Sequence, residues 1–136
     1  MEYRNNGLTF NVLREANEKR LPQFKNKQRE VCHSEDGSDW CLAQWSNACL
    51  GELGEAANII KKIDRRDFTL EEGREALAKE LADTVTYLDI LAKRAGIDLG
   101  KATIDKFNEI SERVGSTVFI HEDGSDYYFK NQAIQL

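Results

Sequence analysis

Proline is almost absent from this sequence, and long apolar runs are absent altogether. The single proline among 136 residues, Pro22, leaves the rest of the chain free to form long helices. No apolar run is long enough to cross a bilayer, and the N-terminal residues lack the apolar segment of a signal peptide. We therefore expect a single domain over residues 1–136, located in the cytoplasm, with no membrane partner.

Cysteine and histidine are also scarce. The three cysteines form no Cys-x-x-Cys pair, which favours reduced thiols over a disulfide framework. Cys32, His33 and Cys41 would supply three ligands of a zinc site, but a structural site needs four and no fourth is evident. Both histidines lie in predicted loops, so a di-iron site built from Glu-x-x-His motifs is excluded.

Acidic residues outnumber basic ones. The chain has 24 Asp and Glu against 19 Lys and Arg, which gives a formal net charge of −5. This balance argues against a nucleic-acid polymer as partner, since such binding depends on clustered basic groups. It leaves room for a phosphorylated small molecule, provided that metal ions and a few well-placed cations offset the repulsion.

Apolar periodicity predicts four helices, at about residues 9–20, 41–63, 69–95 and 98–114. The tail from residue 116 onward has the composition of one or two short strands. On the second helix, the residues expected to face the core are Leu42, Trp45, Cys49, Leu53, Ala56 and Ile60. On the third helix they are Leu77, Leu81, Leu88 and Leu91. On the fourth helix they are Leu99, Phe107, Ile110 and Val114.

Two pairs of carboxylates occupy equivalent positions on the second and third predicted helices. Glu52 and Glu55 are three residues apart, as are Glu80 and Asp83, and the two pairs are separated by 28 residues. Each pair lies on a helix face bounded by small or apolar side chains. Four clustered acidic groups repel one another unless a cation compensates them. The pattern therefore predicts a divalent-metal site, with oxygen ligands that suit Mg²⁺ or Mn²⁺.

The helix lengths place the two pairs at the same height. Glu55 lies nine residues before Asp64, and Glu80 lies eleven residues after Thr69, which correspond to about 14 and 16 Å at the helical rise. A short connection makes such helices antiparallel neighbours, so the pairs are expected to meet. The alternative is a solvated acidic face balanced by nearby lysines. Those lysines are Lys61, Lys62 and Lys79.

At these residues the chain resembles the all-α nucleoside triphosphate pyrophosphohydrolases of the MazG type, a group that includes dimeric dUTPases and dCTP pyrophosphatases. Their pattern is Glu-x-x-Glu on one helix and Glu-x-x-Asp on the next, and residues 45–114 carry the resemblance. The short length and the loop at residues 33–40 are similar to small phage-encoded members. The resemblance implies an antiparallel helical hairpin-based bundle, with its motif core at about residues 41–115. It also implies a homodimer or homotetramer, in the host cytoplasm if the protein is phage-encoded.

The resemblance further implies hydrolysis of nucleoside triphosphates between the α- and β-phosphates, which yields a nucleoside monophosphate and pyrophosphate. The four carboxylates would be catalytic and would hold two or three Mg²⁺ ions, with Mn²⁺ as a substitute, that acidify a water and polarise the phosphoryl oxygens. Glu52 or Glu55 would accept the proton of that water. The residues expected to bind the phosphates lie on the fourth helix and are Lys106, Asn108 and Arg113.

Groups outside the acidic pairs must hold the base and the sugar. Trp40 and Tyr87 would stack on a ring and His33 would bond its edge, whereas Trp45 lies on the core stripe, where packing is the better interpretation. Tyr87 continues the carboxylate face toward the sugar, so we expect dNTPs to be preferred over NTPs. The resemblance to phage-encoded members adds a slight preference for dGTP.

Two alternatives to this activity stay open. The first is a phosphohydrolase that cuts a different phosphate bond or acts on diphosphates. The second is a non-catalytic helical interaction module in which the acidic pocket holds a structural metal.

Overall fold

Four helices and one β-hairpin follow one another along the chain. The computed structural model describes residues 7–131. Its elements are α1 (Phe10–Arg20), a 3₁₀ turn (Leu21–Gln23), α2 (Leu42–Asp64), α3 (Leu70–Arg94), α4 (Leu99–Val114), β1 (Val118–Ile120) and β2 (Tyr127–Phe129). This order confirms the predicted all-α fold with a short β tail. Within the described range, no helix has the length and apolar character needed to cross a membrane.

The helix ends fall within one residue of the predicted ends because the expected capping groups are in place. The Thr69 hydroxyl accepts the Glu72 N–H at 3.2 Å, and Glu72 Oε1 accepts the Thr69 N–H at 3.4 Å, which forms the capping box at the start of α3. Asp98 accepts the Lys101 N–H at 3.0 Å at the start of α4. Gly115 ends α4 with a φ of 70°, a left-handed conformation that glycine adopts without strain.

The chain forms two compact units, divided between Gly96 and Ile97. In the first unit, α2 and α3 form the predicted antiparallel hairpin. Near its middle, the Cys49 thiol lies 3.6 Å from the Thr84 carbonyl oxygen, and burial raises the pKa of that thiol. Helix α1 packs against α3. The first unit therefore has α3 at its centre, between α2 and α1.

Trp45 is the centre of the small core of the first unit. Its side chain is completely buried, and its indole N–H donates to the Gly37 carbonyl oxygen at 2.8 Å. Leu21 and Ile90 are buried beside it. Partly buried side chains surround this cluster, namely Trp40, Tyr87 and Leu91. The core thus joins α3 to α2, to the 3₁₀ turn and to the loop before α2.

Large apolar residues on the outer side of the hairpin are not buried. The prediction that the apolar stripes of α2 and α3 face the core is wrong for five residues, which are 41–47% exposed: Leu42, Leu53, Ile60, Leu81 and Leu88. Each stripe is wider than the contact between two helices can cover. Since α1 covers a different face of α3, this side of the hairpin stays open to solvent within the first unit.

In the second unit, α4 packs against the β-hairpin. Strands β1 and β2 are antiparallel, with Val118 opposite Phe129. Asn108 links α4 to β1, because its Nδ2 donates to the Ile120 carbonyl at 2.9 Å and its Oδ1 accepts the Ile120 N–H at 2.8 Å. The strands are only three residues long and cover little of α4. The prediction of inward-facing side chains is therefore wrong for three residues, which are 39–65% exposed: Phe107, Ile110 and Val114.

Gly73→Ala is expected to destabilise the protein, because a methyl group at this position meets Phe68. A Cβ atom built on Gly73 lies 2.6 Å from Cε2 of the Phe68 ring, well inside van der Waals contact. Overpacking of this kind costs about 1–3 kcal/mol of unfolding free energy, which urea denaturation will measure.

Gly51→Ala is the matched control for this substitution. Gly51 also lies inside a helix, but nothing is within 4 Å of a Cβ built there. Higher helix propensity should stabilise this variant by up to about 1 kcal/mol. Equal unfolding free energies for the two variants would contradict the close packing at Gly73.

Candidate functional site

The two acidic pairs meet between α2 and α3. One carboxylate oxygen from each of Glu52, Glu80 and Asp83 lies within 4.8 Å of the other two. Glu52 comes from α2 and the other two residues from α3, so the register of the hairpin brings them together. We refer to these three residues as the acidic cluster. Their meeting is what the equal heights of the two pairs predict.

Glu80 has an unsatisfied oxygen in the acidic cluster. Its Oε2 atom is buried and has no hydrogen-bond partner within residues 7–131. A buried carboxylate oxygen normally has a donor or a cation beside it, because desolvation otherwise costs free energy. The neighbouring groups are themselves carboxylates, which offer only acceptor atoms when ionised, and a hard cation would satisfy all three. The donor set, made only of oxygens, fits Mg²⁺ or Mn²⁺.

Glu55 lies exposed at the edge of the acidic cluster. Its pKa is raised, first by a hydrogen bond with Glu80 and then by the negative charge of Glu80. The raised pKa reflects the repulsion between neighbouring carboxylates, which makes the charged form of Glu55 less favourable beside Glu80. Three of the four predicted ligands are therefore grouped together, and the fourth interacts with one of them.

The zinc site considered for Cys32, His33 and Cys41 is not formed. In the part of the chain that the structure describes, the acidic cluster is the one group of three or more metal-ligating side chains close enough to share an ion. His33 instead approaches Asp39, with 2.8 Å between its Nδ1 and the Asp39 Oδ2 atom. This interaction orients the imidazole ring and leaves Nε2 for another partner.

A cavity of about 300 Å³ opens beside Glu52 and Asp83. Its volume is at the lower end of the range for small-molecule sites. Asp83 and Ile90 both line it and are seven residues apart on α3, so the cavity extends about 10 Å from the acidic cluster. Four rings and two polar side chains form much of the wall: Phe24, His33, Trp45, Tyr87, Asn17 and Arg20.

Tyr87 lies where the acidic cluster meets the cavity. Burial raises the pKa of its phenol, and the charges of Glu52 and Asp83 raise it further. The hydroxyl therefore keeps its proton at neutral pH and can donate a hydrogen bond. This placement agrees with the predicted position of Tyr87 at the end of the carboxylate face.

His33 and Trp40 surround Trp45 on the loop side. The Trp45 ring centroid lies 5.0 Å from that of His33 and 4.6 Å from that of Trp40. His33 lines the cavity, whereas Trp40 packs on the core cluster and lies outside the cavity wall. Of the three residues predicted to touch a base, His33 and Tyr87 therefore line the cavity and Trp40 does not.

The three residues predicted to bind phosphates all lie on α4, in the second unit. Lys106 forms an ion pair with Glu109 at 2.9 Å, and Asn108 is held by the Ile120 backbone. Arg113 is exposed in the last turn of α4. A contact of these residues with substrate phosphates stays a prediction.

Sequence reasoning missed two polar residues of the cavity, Asn17 and Arg20. Helix α1 reads as an ordinary amphipathic helix, and Arg20 as a basic residue in its last turn. The sequence does contain a feature that marks Asn17: it lies at helical spacing between the apolar residues Leu13 and Leu21, on the same helical face. A polar side chain on an apolar helix face is a candidate for a buried hydrogen bond or a binding site.

The chain is similar to the Gene 37 protein of Mycobacterium phage L5. The two sequences are 32% identical over 84 residues, which span 60% of this chain and 70% of that protein. The chain belongs to the family of this phage protein. No family model and no solved structure matches the sequence.

In this Gene 37 family protein, Glu55→Gln is expected to stabilise the metal-free form at neutral pH. Because the folded-state pKa of Glu55 is raised, its favourable contribution to folding is present at low pH and is lost as the pH rises through that pKa. Glutamine does not ionise, so the melting temperature of the variant should depend less on pH between about 4 and 8. Thermal denaturation in the presence of EDTA measures this difference.

At neutral pH, Mg²⁺ is expected to raise the melting temperature of the wild-type protein more than that of Glu55→Gln. In the wild type, Mg²⁺ binding would also relieve the repulsion between Glu55 and Glu80, which the variant lacks. Glu75→Gln is the control, because Glu75 is an exposed acid on the same α3 helix that pairs with Lys79 at 3.4 Å. It should respond to Mg²⁺ as the wild type does. An equal response in all three proteins would contradict a role for Glu55 in metal binding.

Proposed function

We propose that this protein is a Mg²⁺-dependent nucleoside triphosphate pyrophosphohydrolase of the MazG-like, all-α type. It would cleave between the α- and β-phosphates and release a nucleoside monophosphate and pyrophosphate. The observation that carries the proposal is the acidic cluster at the edge of a ring-lined cavity. The cavity fits a flat base with its sugar, and the cluster fits the metal ions that accompany a polyphosphate.

The residues of the site have separate roles in this proposal. Glu52, Glu80 and Asp83 would hold the metal, which when bound supplies Lewis-acid activation of the phosphoryl group and a more acidic water. Glu55, whose pKa is raised, would accept the proton of the water that attacks the α-phosphorus. The bridging oxygen between the α- and β-phosphates then leaves with pyrophosphate. Arg20 lines the same cavity and would offset phosphate charge.

Tyr87 supports a preference for deoxyribonucleotides. Its ring lies beside Glu52 and Asp83, where a sugar would be if the phosphates were held at the acidic cluster. A 2′-hydroxyl would crowd against that ring. Guanine stays the first base to test, and Lys106 and Arg113 stay candidates for phosphate contact. Because a relative is a phage protein, the enzyme would act in the host cytoplasm.

Asp83→Ala is expected to lower kcat/KM for the best substrate by about 10³-fold or more, because it removes one metal ligand of three. Pyrophosphate release from the eight common ribo- and deoxyribonucleoside triphosphates, with Mg²⁺, measures this loss. Glu75→Ala is the control and should retain wild-type turnover, since Glu75 lies on the same helix outside the acidic cluster.

The products separate this proposal from its alternatives. Release of inorganic phosphate in place of pyrophosphate would indicate cleavage at another bond. Absence of turnover with every nucleotide, while Mg²⁺ still stabilises the fold, would indicate a structural metal in a binding module. Equal kcat/KM for dGTP and GTP would remove the role of Tyr87, and a preference for dUTP or dCTP would overturn the choice of guanine.

We also propose that two copies of the chain pair through the open side of the hairpin. Leu81, Val85 and Leu88 recur at helical spacing on α3 and are 41–47% exposed, and Leu53 and Ile60 are similarly exposed on α2. Successive residues of a helix are rotated by about 100° around its axis. On each helix, this rotation places the apolar stripe to one side of the residues that contact the other helix, and the direction of rotation is the same on both. In an antiparallel pair this places them on the same side. Pairing there gives a homodimer, or a homotetramer from two dimers.

Leu88→Asp is expected to yield a monomer where the wild-type protein is a dimer or tetramer, because it buries a carboxylate in an apolar interface. Size-exclusion chromatography with light scattering at micromolar protein measures the mass. Val12→Asp is the control, since Val12 is 53% exposed but lies on α1, which covers a different face of α3. A monomeric mass for the wild-type protein would contradict the pairing.

A further inference from the structure

A buried carboxylate joins α3 to α1 through two polar contacts. Asp89 is only 1% exposed, and it accepts hydrogen bonds from Arg14 Nε at 3.0 Å and from Asn17 Nδ2 at 3.0 Å. A carboxylate paired with arginine has only acceptor atoms to offer. The NH₂ group of Asn17 must therefore face Asp89, because the flipped amide would bring two oxygens together.

This orientation determines which atom Asn17 presents to the cavity. Asn17 is 4% exposed, and its Nδ2 has a second, longer contact with the Thr86 carbonyl oxygen at 3.5 Å. Its Oδ1 has no hydrogen-bond partner among residues 7–131. Among residues 7–131, Glu80 Oε2 is the one fully buried side-chain oxygen or nitrogen that lacks a hydrogen-bond partner. The Asn17 Oδ1 atom also lacks a partner, so it is not fully buried. Asn17 lines the cavity, and Oδ1 is the polar atom of its side chain that is left to accept a hydrogen bond from a ligand there.

Asn17 lies where the base of a nucleotide would be if the phosphates were held at the acidic cluster. The partners of Asn17 on α3, Thr86 and Asp89, lie three and six residues beyond Asp83. This is about 4.5–9 Å along the helix axis. A sugar ring occupies that interval, so a base beyond it would reach Asn17. Tyr87, next to Thr86 on α3, also lines the cavity with a partly buried ring, whereas the Trp45 side chain is fully buried and packs against the rings of His33 and Trp40.

We propose that Asn17, oriented by Asp89, reads the base of the bound nucleotide by accepting a hydrogen bond at Oδ1 from an amino group on the base edge. The inference rests on the proposed nucleotide substrate. It assigns Asn17 as a specificity residue and Asp89 and Arg14 as positioning residues. Thymine and uracil carry a carbonyl oxygen where cytosine carries an amino group, and hypoxanthine differs from adenine in the same way. A carbonyl oxygen at that place would face the Asn17 oxygen and leave both without a donor.

The test is the binding of nucleoside monophosphates that differ in one group. The pairs are dCMP with dUMP, dAMP with dIMP, and dGMP with dIMP, and in each pair the first member has an amino group that the second lacks. Titration calorimetry with Mg²⁺ gives the dissociation constants, and none of these ligands can be hydrolysed to pyrophosphate. We expect the amino member of at least one pair to bind about tenfold more tightly.

Two variants separate base reading from general stability. Asp89→Asn places an amide opposite Asn17, so the Asn17 side chain can turn its NH₂ toward the cavity. The binding preference for the amino member of each pair should then fall to about threefold or less, or invert. Asn17→Leu should weaken binding of the amino member and leave its partner within about twofold, because only the amino member loses a bond. If Asp89→Asn does not fold, Asn17→Leu alone decides the proposal.

Glu18→Gln is the matched control for these variants. Glu18 also joins α1 to α3, through an ion pair with Lys93 at 2.6 Å, but neither residue lines the cavity. Its selectivity should equal that of the wild type. The same change of selectivity in Glu18→Gln and Asp89→Asn would overturn the proposal, because packing of α1 would then explain both.

The outcomes for base reading and for hydrolysis are distinguishable. Selective binding of the amino members, without hydrolysis of any triphosphate, would remove the proposed enzyme and leave Asn17 as a base-reading residue. Pyrophosphate release with equal kcat/KM for dCTP and dUTP, for dATP and dITP, and for dGTP and dITP would remove the role of Asn17 and leave the enzyme. Tighter binding of dUMP and dIMP, no preference in any pair, or no binding of any monophosphate would each overturn the inference.

Discussion

The close antiparallel contact of α2 with α3 is the constraint on which the rest of the first unit depends. Small residues allow the helices to approach, since Ala56 is fully buried and a Cβ on Gly73 would lie only 3.2 Å from Ile63 Cδ1 on α2. The same approach forces Glu52 against Glu80, whose Oε2 atom has no partner in residues 7–131. Helix packing thus maintains an electrostatic repulsion that a cation would relieve, so the proposed metal binding would be coupled to stability.

The meeting of the carboxylates was predictable because it depends on local geometry. Helical rise, a short connection and equal distances from the turn determine the height of Glu52 and Glu80, and the capping box at Thr69 determines where α3 begins. None of these requires knowledge of long-range packing. The helix ends were predictable to within one residue for the same reason.

The cavity was not predictable, because it depends on how α1 docks. Asn17 and Arg20 belong to a short helix whose sequence does not show which face meets α3. Burial was misjudged for a related reason. Periodicity shows that Leu81 and Leu88 share a face of α3, but it does not show whether another part of the same chain covers that face.

The two sides of the hairpin therefore differ in chemistry. The side covered by α1 contains a buried ion pair, an amide and the rings around Trp45, which favour a defined geometry. The other side offers aliphatic side chains that accept any apolar surface of suitable shape. A ligand is expected on the first side and another copy of the chain on the second.

The hydrogen bond between Asn17 and Asp89 has a consequence for the order of folding. It closes a loop of 72 residues, whereas the contact of Glu52 with Glu80 needs only the α2–α3 hairpin, 28 residues in sequence. Shorter loops close at lower entropic cost and more quickly. During folding the hairpin with its carboxylates should therefore form first, and α1 should dock later. Under the proposed function, the chain would then pass through a state that attracts a cation before the base-reading geometry at Asn17 is formed.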